Sequence, residues 1–157
     1  MTASRISASE SDASPGAVIH QIEHRVNYSE VDQMGVAYHA RYLVWMDMAR
    51  TEYLRRQGMT YREFEERGYR LAVGEVSIKY RRPARYDDLV RVRCWVQDAG
   101  SRRVTFGYVI ERDDPGGCKP LATAVTPMLS LDSRFRLTAM PADVRRLLVP
   151  TPPPVPL

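Results

Sequence analysis

The alternation of apolar and polar residues along the chain predicts a strand, a long helix and then four more strands. Residues 22–28 alternate with a period of two, which is typical of a half-buried strand. Residues 40–56 contain no glycine or proline, and their apolar positions recur at helical spacing. Gly58 is the expected C-cap of this helix, and Thr60 followed by Glu63 is a capping-box signal for a short helix at 60–68. The pattern then predicts strands at 71–80, 88–97, 103–112 and 121–132, and a closing helix at 140–148.

The order of these elements predicts an α+β fold. Consecutive strands joined by short connections pair as an antiparallel sheet, whose apolar face needs a cover. The helix at 40–56 has the apolar stripe that such a cover requires. Pro127 lies inside the last strand, and because proline cannot donate to the ladder, we expect an edge position or a local bulge there.

The length and composition of the chain suit one folded domain with unstructured ends. A chain of 157 residues fits a single domain, which we assign to residues 19–148. Residues 1–18 are rich in serine and alanine and predict a disordered leader, and the proline-rich residues 149–157 predict a polyproline II tail. No apolar run approaches the roughly 18–20 residues of a membrane-spanning helix, so membrane insertion is not expected.

Cysteine and histidine usage argues against a metal site. Cys94 and Cys118 are too few for a disulfide framework or for a four-ligand zinc site. His20 and His24 lie four residues apart on a predicted strand, a spacing that does not place two ligands together. We therefore expect a cytoplasmic protein with reduced thiols and no metal.

The net charge does not indicate a nucleic-acid partner, but its distribution is informative. The chain has 23 basic and 19 acidic residues, a balance of +4. A basic cluster within residues 79–85 contains no acid and consists of Lys79, Arg81, Arg82 and Arg85. The guanidinium fork matches phosphate geometry, so the cluster is a candidate phosphate site, with a solvated strand surface as the alternative.

The residues between the first strand and the long helix carry the candidate chemistry. Asp32 lies in this loop, and the helix is expected to begin just after His39. The first N–H groups of a helix have no internal partners and suit a developing oxyanion, while a nearby carboxylate can attack directly or deprotonate water. From spacing alone, a loop aspartate before a helix is more often a cap or turn residue, and His39 more often caps the helix or packs.

Two separated motifs resemble a known family. D-x-x-G-x-x-Y-H-x-x-Y-L at residues 32–43, followed by D-x-A-R-T-E-Y-L at 47–54, is similar to the signature of the 4-hydroxybenzoyl-CoA thioesterase family. Y-R-R-P-A-R-Y-D-D-L-V-R-V at 80–92 resembles a strand–turn–strand of the same family, especially its short-chain acyl-CoA thioesterase branch linked to the Tol-Pal system. The resemblance covers about residues 22–148.

This resemblance implies a hotdog fold, in which a five-stranded antiparallel sheet wraps around one long helix. It implies a homodimer joined edge to edge, or a tetramer of two such dimers, with active sites at the subunit interface. Asp32 matches the catalytic aspartate, His39 the helix start that polarises the thioester carbonyl, and Tyr28 an assisting tyrosine. The other substrate-binding candidates are Gly35, Tyr38 and Ala40 in the motif and Arg81, Arg82 and Arg85 for the phosphates of coenzyme A.

The chain departs from the family pattern at two helix positions. Asp47 stands where the short-chain branch often has glutamate, and it is the rival catalytic carboxylate because another hotdog lineage uses one from its helix. Arg41 stands where the family often has asparagine, which leaves the pocket shape open.

The expected function is hydrolysis of a short-chain or aromatic acyl-CoA to free acid and coenzyme A. Coenzyme A is then part of the substrate, and no metal or redox cofactor is required. Three alternatives stay open: a thioesterase acting on acyl carrier protein, a non-catalytic protein that binds acyl thioesters, and a nucleic-acid-binding protein, for which the basic charge is the single indication.

Overall fold

The computed structural model describes residues 16–157 and contains six strands and three α-helices in that range. The elements are β1 (Ile19–Arg25), a 3₁₀ turn (Tyr28–Glu30), α1 (Arg41–Gln57), α2 (Tyr61–Glu66), β2 (Tyr69–Val73), β3 (Ser77–Tyr80), β4 (Leu89–Ala99), β5 (Arg103–Asp114), β6 (Gly117–Asp132) and α3 (Ala142–Leu147). None of the described helices is long and apolar enough to cross a membrane.

All six strands belong to one antiparallel sheet. The strand order is β1-β4-β5-β6, and β2 and β3 lie one after the other along the outer edge of β6. The antiparallel sheet and the long helix confirm the α+β prediction and the hotdog architecture. The prediction of five strands was wrong, because residues 71–80 form two strands, β2 and β3, rather than one.

Pro127 accounts for the division between β2 and β3. Pro127 continues β6 and stays in register with Thr105 of β5. Its carbonyl accepts the N–H of Gly74 at 2.9 Å, but proline has no N–H to return to that neighbour. Residues 74–76 therefore lie opposite residues 126–127. The local bulge expected at Pro127 is present, but its extra residue is in the neighbouring strand segment rather than in β6.

The inner face of the sheet packs on α1. The buried stripe of the helix confirms its predicted apolar spacing and consists of Tyr42, Trp45, Met46, Ala49, Tyr53 and Leu54. Gly58 ends the helix in the left-handed conformation at φ +106°, where a side chain would be strained. Thr60 and Glu63 form the capping box predicted for α2.

The end of the chain contacts the domain. Thr151 is buried, and its N–H donates to the carbonyl of Val96 at 2.8 Å. Its Oγ1 accepts the N–H of Val18 at 3.1 Å. Val18 of the predicted leader and residues 150–151 of the predicted tail thus lie beside β1 and β4, whereas residues 1–15 lie outside the described part of the chain.

Candidate active site

The loop between the 3₁₀ turn and α1 is a short, internally bonded hairpin. Val31 and Ala37 form an isolated antiparallel bridge, and the N–H of Asp32 donates to the carbonyl of Val36 at 2.9 Å. Gly35 closes the turn at φ +79°, a conformation that favours glycine. The hairpin fixes the backbone on both sides of the Asp32 carboxyl group.

The Asp32 side chain is half-buried and has one oxygen engaged. Oδ1 accepts the N–H of Met34 at 2.9 Å, which is an Asx turn. Within residues 16–157, Oδ2 accepts no hydrogen bond. The turn interpretation and the catalytic interpretation are therefore compatible, because the turn orients one oxygen and leaves the other available for chemistry.

The start of α1 presents backbone donors. The helix begins at Arg41, and Ala40 caps it without a side-chain hydrogen bond. A preceding turn uses the N–H of Arg41, which donates to the carbonyl of Tyr38 at 2.9 Å. In the described part of the chain, the N–H groups of His39 and Ala40 have no acceptor. Such N–H groups carry partial positive charge and can stabilise an oxyanion.

A cavity of about 310 Å³ joins the loop to the helix start and to the end of β3. Its lining residues come from these three segments and are Asp32, Met34, Val36, Ala37, His39, Tyr42, Tyr80, Arg81, Arg82 and Pro83. The structure thus brings four of the candidate residues to one cavity: Asp32, His39 at the helix start, and the two arginines Arg81 and Arg82.

Arg81 and Arg82 supply positive charge at this cavity. Their backbone N–H groups both donate to the carbonyl of Leu121, at 2.8 and 3.1 Å, which fixes this segment against β6. Neither side chain forms an ion pair within residues 16–157, although Nη1 of Arg82 donates to the carbonyl of Pro120 at 3.1 Å. Arg85 belongs to the following turn, where its N–H donates to Asp88 at 2.8 Å, and it is not among the lining residues.

The other candidates lie around the cavity rather than in its lining. Tyr28 is 78% exposed and packs edge-on against Tyr86, with ring centroids 5.6 Å apart. Tyr38 packs against the His39 ring at 4.5 Å. Gly35 and Ala40 shape the backbone, at the tip of the turn and at the helix cap.

Tyr80 and Tyr42 line the cavity and were missed by the sequence reasoning. The hydroxyl of Tyr80 donates to the carbonyl of His39 at 2.8 Å, and the hydroxyl of Tyr42 accepts the N–H of Ala84 at 3.1 Å. Burial raises the pKa of both hydroxyls, so both stay protonated at neutral pH and neither is a general base. Both residues stand inside the quoted motifs, which was the one available signal.

The rival carboxylate is engaged elsewhere. Asp47 forms a salt bridge with Arg50, whose guanidinium is 5.8 Å from the centre of the Tyr61 ring. Asp47 is not a lining residue of the cavity. Among carboxylates of the described residues, Asp32 is the one that lines it.

The thiols have the environments of unreactive groups. Cys94 is fully buried, and burial raises its pKa well above the usual range. Cys118 is exposed, but partial burial and its hydrogen bond to Glu111 raise its pKa to about 12. Among residues 16–157, no three His, Cys, Asp or Glu side chains gather as a metal site would require.

Comparisons with known proteins relate the chain to thioesterases. The family model described as Thioesterase superfamily matches residues 34–119, more than half of the chain. A Haemophilus influenzae protein named acyl-CoA thioesterase YbgC is 39% identical over 123 residues, which cover 77% of this chain and 88% of that protein. A Bacillus subtilis protein named putative acyl-CoA thioesterase YneP is 38% identical over 88 residues, 56% of this chain.

The matched stretch spans 64% of the length of the Bacillus protein. A crystal structure of a mutant 4-hydroxybenzoyl-CoA thioesterase with 4-hydroxybenzoyl-CoA superposes with a TM-score of 0.77 at 20% identity, covering 83% of this chain and 98% of that one. At that identity the likeness concerns the fold, and it is the hotdog fold predicted from the motifs. The chain belongs to the thioesterase superfamily.

Proposed function

We propose that this protein hydrolyses a short-chain or aromatic acyl-CoA to the free acid and coenzyme A. The observation that carries the proposal is the cavity in which the Asp32 carboxylate, the start of α1 and two arginines without ion pairs meet. The names of the Haemophilus and Bacillus relatives support the same reaction class.

The helix start would polarise the thioester carbonyl. The N–H groups of His39 and Ala40 would donate to the carbonyl oxygen, and their interaction strengthens as negative charge develops there. The hydroxyl of Tyr80 holds the carbonyl of His39, which keeps the turn in one orientation. Donors fixed in advance need no reorganisation during the reaction.

Asp32 would act on the carbonyl carbon in one of two ways. As a general base it takes a proton from water, whose oxygen adds to the carbon while the C–S bond breaks and the thiolate of coenzyme A leaves and is protonated. As a nucleophile it attacks the carbonyl carbon, the C–S bond breaks and the thiolate of coenzyme A leaves and is protonated, and water then cleaves the mixed anhydride that remains. Single turnover in heavy-oxygen water distinguishes the two, because only the anhydride path places the label in the Asp32 carboxylate.

The rest of the cavity fits the two ends of such a substrate. Arg81 and Arg82 are suited to the phosphates of coenzyme A, with Arg85 further along the same exposed segment. The acyl end would meet an apolar and aromatic wall that includes Met34, Tyr42 and Tyr80. The rings of Tyr42 and Tyr80 are 5.1 Å apart in an edge-on arrangement, which suits a flat or short acyl group.

Paired substitution of the two rival carboxylates tests the assignment. Asp32→Asn keeps the shape of the turn and should lower kcat on the best acyl-CoA by about 10²–10⁴-fold, the range of general-base contributions. Asp47→Asn is the matched control, expected within a few-fold of the parent. An Asp32→Asn protein that folds normally and keeps full activity would refute the proposal, and a loss confined to Asp47→Asn would transfer the role to that residue.

The carrier is decided by two further comparisons. Rates on one acyl group attached to coenzyme A and to acyl carrier protein separate this proposal from its carrier-protein alternative. The double variant Arg81→Ala/Arg82→Ala should raise KM for acyl-CoA about tenfold or more and leave the N-acetylcysteamine thioester, which lacks phosphates, unchanged. Binding of coenzyme A without turnover of any acyl thioester would instead support a non-catalytic binder.

We also propose that the protein is a cytoplasmic homodimer, alone or as half of a tetramer, joined at the β2–β3 edge. Within the described residues this edge has no strand neighbour beyond β6, and it exposes the large side chains Val73, Val76 and Tyr80. Sedimentation of the parent and of Val76→Glu tests the interface. A monomeric parent, or a Val76→Glu protein that remains dimeric, would contradict this assembly.

A further inference from the structure

Glu30 is a buried carboxylate that the proposed chemistry does not use. It is 8% exposed and lies two residues before Asp32. Its Oε2 accepts the N–H of Asn27 at 2.8 Å and lies 2.8 Å from Nε2 of His24. Its Oε1 accepts the indole N–H of Trp45 at 2.9 Å. One side chain thus joins β1, the 3₁₀ turn and α1.

The backbone of Glu30 closes the Asp32 loop. Its carbonyl accepts the N–H of Tyr38 at 2.8 Å, and Tyr38 begins the turn that leads into α1. Inside this closure lie the Val31–Ala37 bridge and the hydrogen bond from Asp32 to Val36. A displacement of Glu30 would therefore move the entry of the loop and its exit together.

Trp45 makes the same carboxylate an anchor on the helix. It lies in the first turns of α1, is fully buried, and packs its ring against His24 at 5.3 Å. The Glu30–Trp45 hydrogen bond therefore fixes the Asp32 loop to the helix that offers the His39 and Ala40 donors. Near-attack geometry requires a constant distance between the Asp32 carboxylate and those donors.

Glu30 remains ionised in this environment. Burial tends to raise its pKa, but hydrogen bonds from Asn27, His24 and Trp45 outweigh burial and lower it. A carboxylate accepts hydrogen bonds only, so each of the three donors has a suitable partner. The neutral isostere Gln would turn an amide N–H₂ toward at least one of them.

We propose that Glu30 is a positioning residue, whose carboxylate holds the Asp32 loop at a fixed place relative to the start of α1. This inference rests on the proposed thioesterase function. Glu30 does not line the cavity and touches no reacting group, so its effect on the reaction passes through Asp32 and the helix-start donors.

The chain supplies a matched control. Glu63 makes the same local contact in α2, where its Oε2 accepts the N–H of Thr60 at 2.7 Å, but it is exposed and lies away from the cavity. Glu63→Gln therefore removes the same charge from the same type of cap. Trp45→Phe is a second probe, because it keeps a buried aromatic ring but removes the donor to Oε1 together with part of the ring volume.

Steady-state kinetics gives the first readout. Glu30→Gln should lower kcat about 10–100-fold with KM for acyl-CoA within about twofold, and Trp45→Phe should lower kcat less, in the same direction. Glu63→Gln should match the parent. The inference is overturned if Glu30→Gln keeps kcat within twofold, or if it changes KM alone.

A double-variant cycle separates positioning through Asp32 from an independent role of Glu30. If Glu30 acts through Asp32, Glu30→Gln should add little to the defect of Asp32→Asn. If the double variant loses kcat by the full product of the two single losses, the inference is contradicted and Glu30 has an independent role.

Amide hydrogen exchange gives a readout that does not depend on activity. Glu30→Gln should speed exchange at Gly35 and Tyr38, whereas Glu63→Gln should affect only α2. Unchanged exchange in the loop overturns the positioning role even if the parent is an active thioesterase. If the parent shows no thioesterase turnover and Glu30→Gln still exchanges faster in the loop than the parent does, the positioning role is supported while the proposed function fails.

Discussion

Two nearly buried glutamates lie in different regions of the molecule and have different partners. Glu30, on the loop side of the sheet, is held by N–H donors from three elements that also define the Asp32 loop. Glu111, 3% exposed, lies on the outer face of the sheet and is held by the guanidinium of Arg93, with Arg91 at 3.6 Å and the thiol of Cys118 at 2.8 Å.

The difference lies in what each carboxylate is connected to. The partners of Glu111 lie on β4 and β6, the two strands that flank its own strand β5, and none of them lines the cavity. The partners of Glu30 lead to the candidate site within two residues. A buried charge by itself therefore does not indicate function. We expect changes on the outer face to affect stability and changes on the loop side to affect turnover.

The largest effect on stability is expected from Glu111→Ala. It leaves two arginines without their shared partner and should lower the free energy of unfolding by about 3 kcal/mol, the lower end for broken buried pairs because both arginines keep some contact with water. Asp113→Ala, which removes an exposed partner of Arg91, is the control and should cost far less. Urea denaturation measures both.

The activity of Glu111→Ala is expected to be unchanged, because its partners lie away from the cavity. At a temperature where Glu111→Ala is folded, its kcat should equal that of the parent. A folded Glu111→Ala protein with a large loss of kcat would show that the outer face is coupled to the site.

Gly107→Ala tests the packing of the same face. A Cβ at this position would lie 2.6 Å from the buried ring of Trp95, so the ring or the strand must shift. We expect a loss of about 2 kcal/mol, typical of overpacking, with unchanged kcat. Gly100→Ala is the control, since its Cβ would meet its nearest atom at 3.8 Å. Equal stability of the two variants in urea would contradict this account of Gly107.

The loop side should respond in turnover to the loss of a single hydroxyl. Tyr80→Phe removes the hydrogen bond to the His39 carbonyl and should lower kcat about fivefold, the equivalent of about 1 kcal/mol, with little change in urea midpoint. Tyr86→Phe, which keeps the ring that packs against Tyr28, is the control. If Tyr80→Phe shifts the midpoint and leaves kcat unchanged, its contact is structural only.

Local signals predicted the parts of the fold that local contacts determine. Gly58 ends α1 and Thr60 with Glu63 caps α2 because each acts within one turn of chain. The division of β2 from β3 was missed because its cause, Pro127, lies on another strand and meets Gly74 only after the sheet has formed.

The same distinction applies to the site. Asp32 and His39 stand in one motif, so the sequence brought them together, and Arg81 and Arg82 reach the same cavity because β3 ends beside the helix start. Arg85, three residues later, has the same chemistry but follows the buried Ala84, and the turn carries it away from the lining. Glu30 was missed, although its spacing from Asn27 matches that of Glu63 from Thr60.

The smallest effect is expected in acid, where the two capping carboxylates can be compared directly. The folded-state pKa of Glu30 lies below its ordinary value, so its stabilisation is complete above the unfolded pKa of about 4.3 and is lost as the pH falls through the folded pKa. The free energy of unfolding of the parent minus that of Glu30→Gln, measured in urea from about pH 6 to about pH 3, should therefore shrink toward low pH. The pKa of Glu63 is also lowered, by Thr60, but water screens that exposed group, so Glu63→Gln should give a flatter difference. A difference for Glu30 that grows as the pH falls would mean that the neutral acid is the bound form, and the donors from Asn27, His24 and Trp45 would then not be what holds the loop.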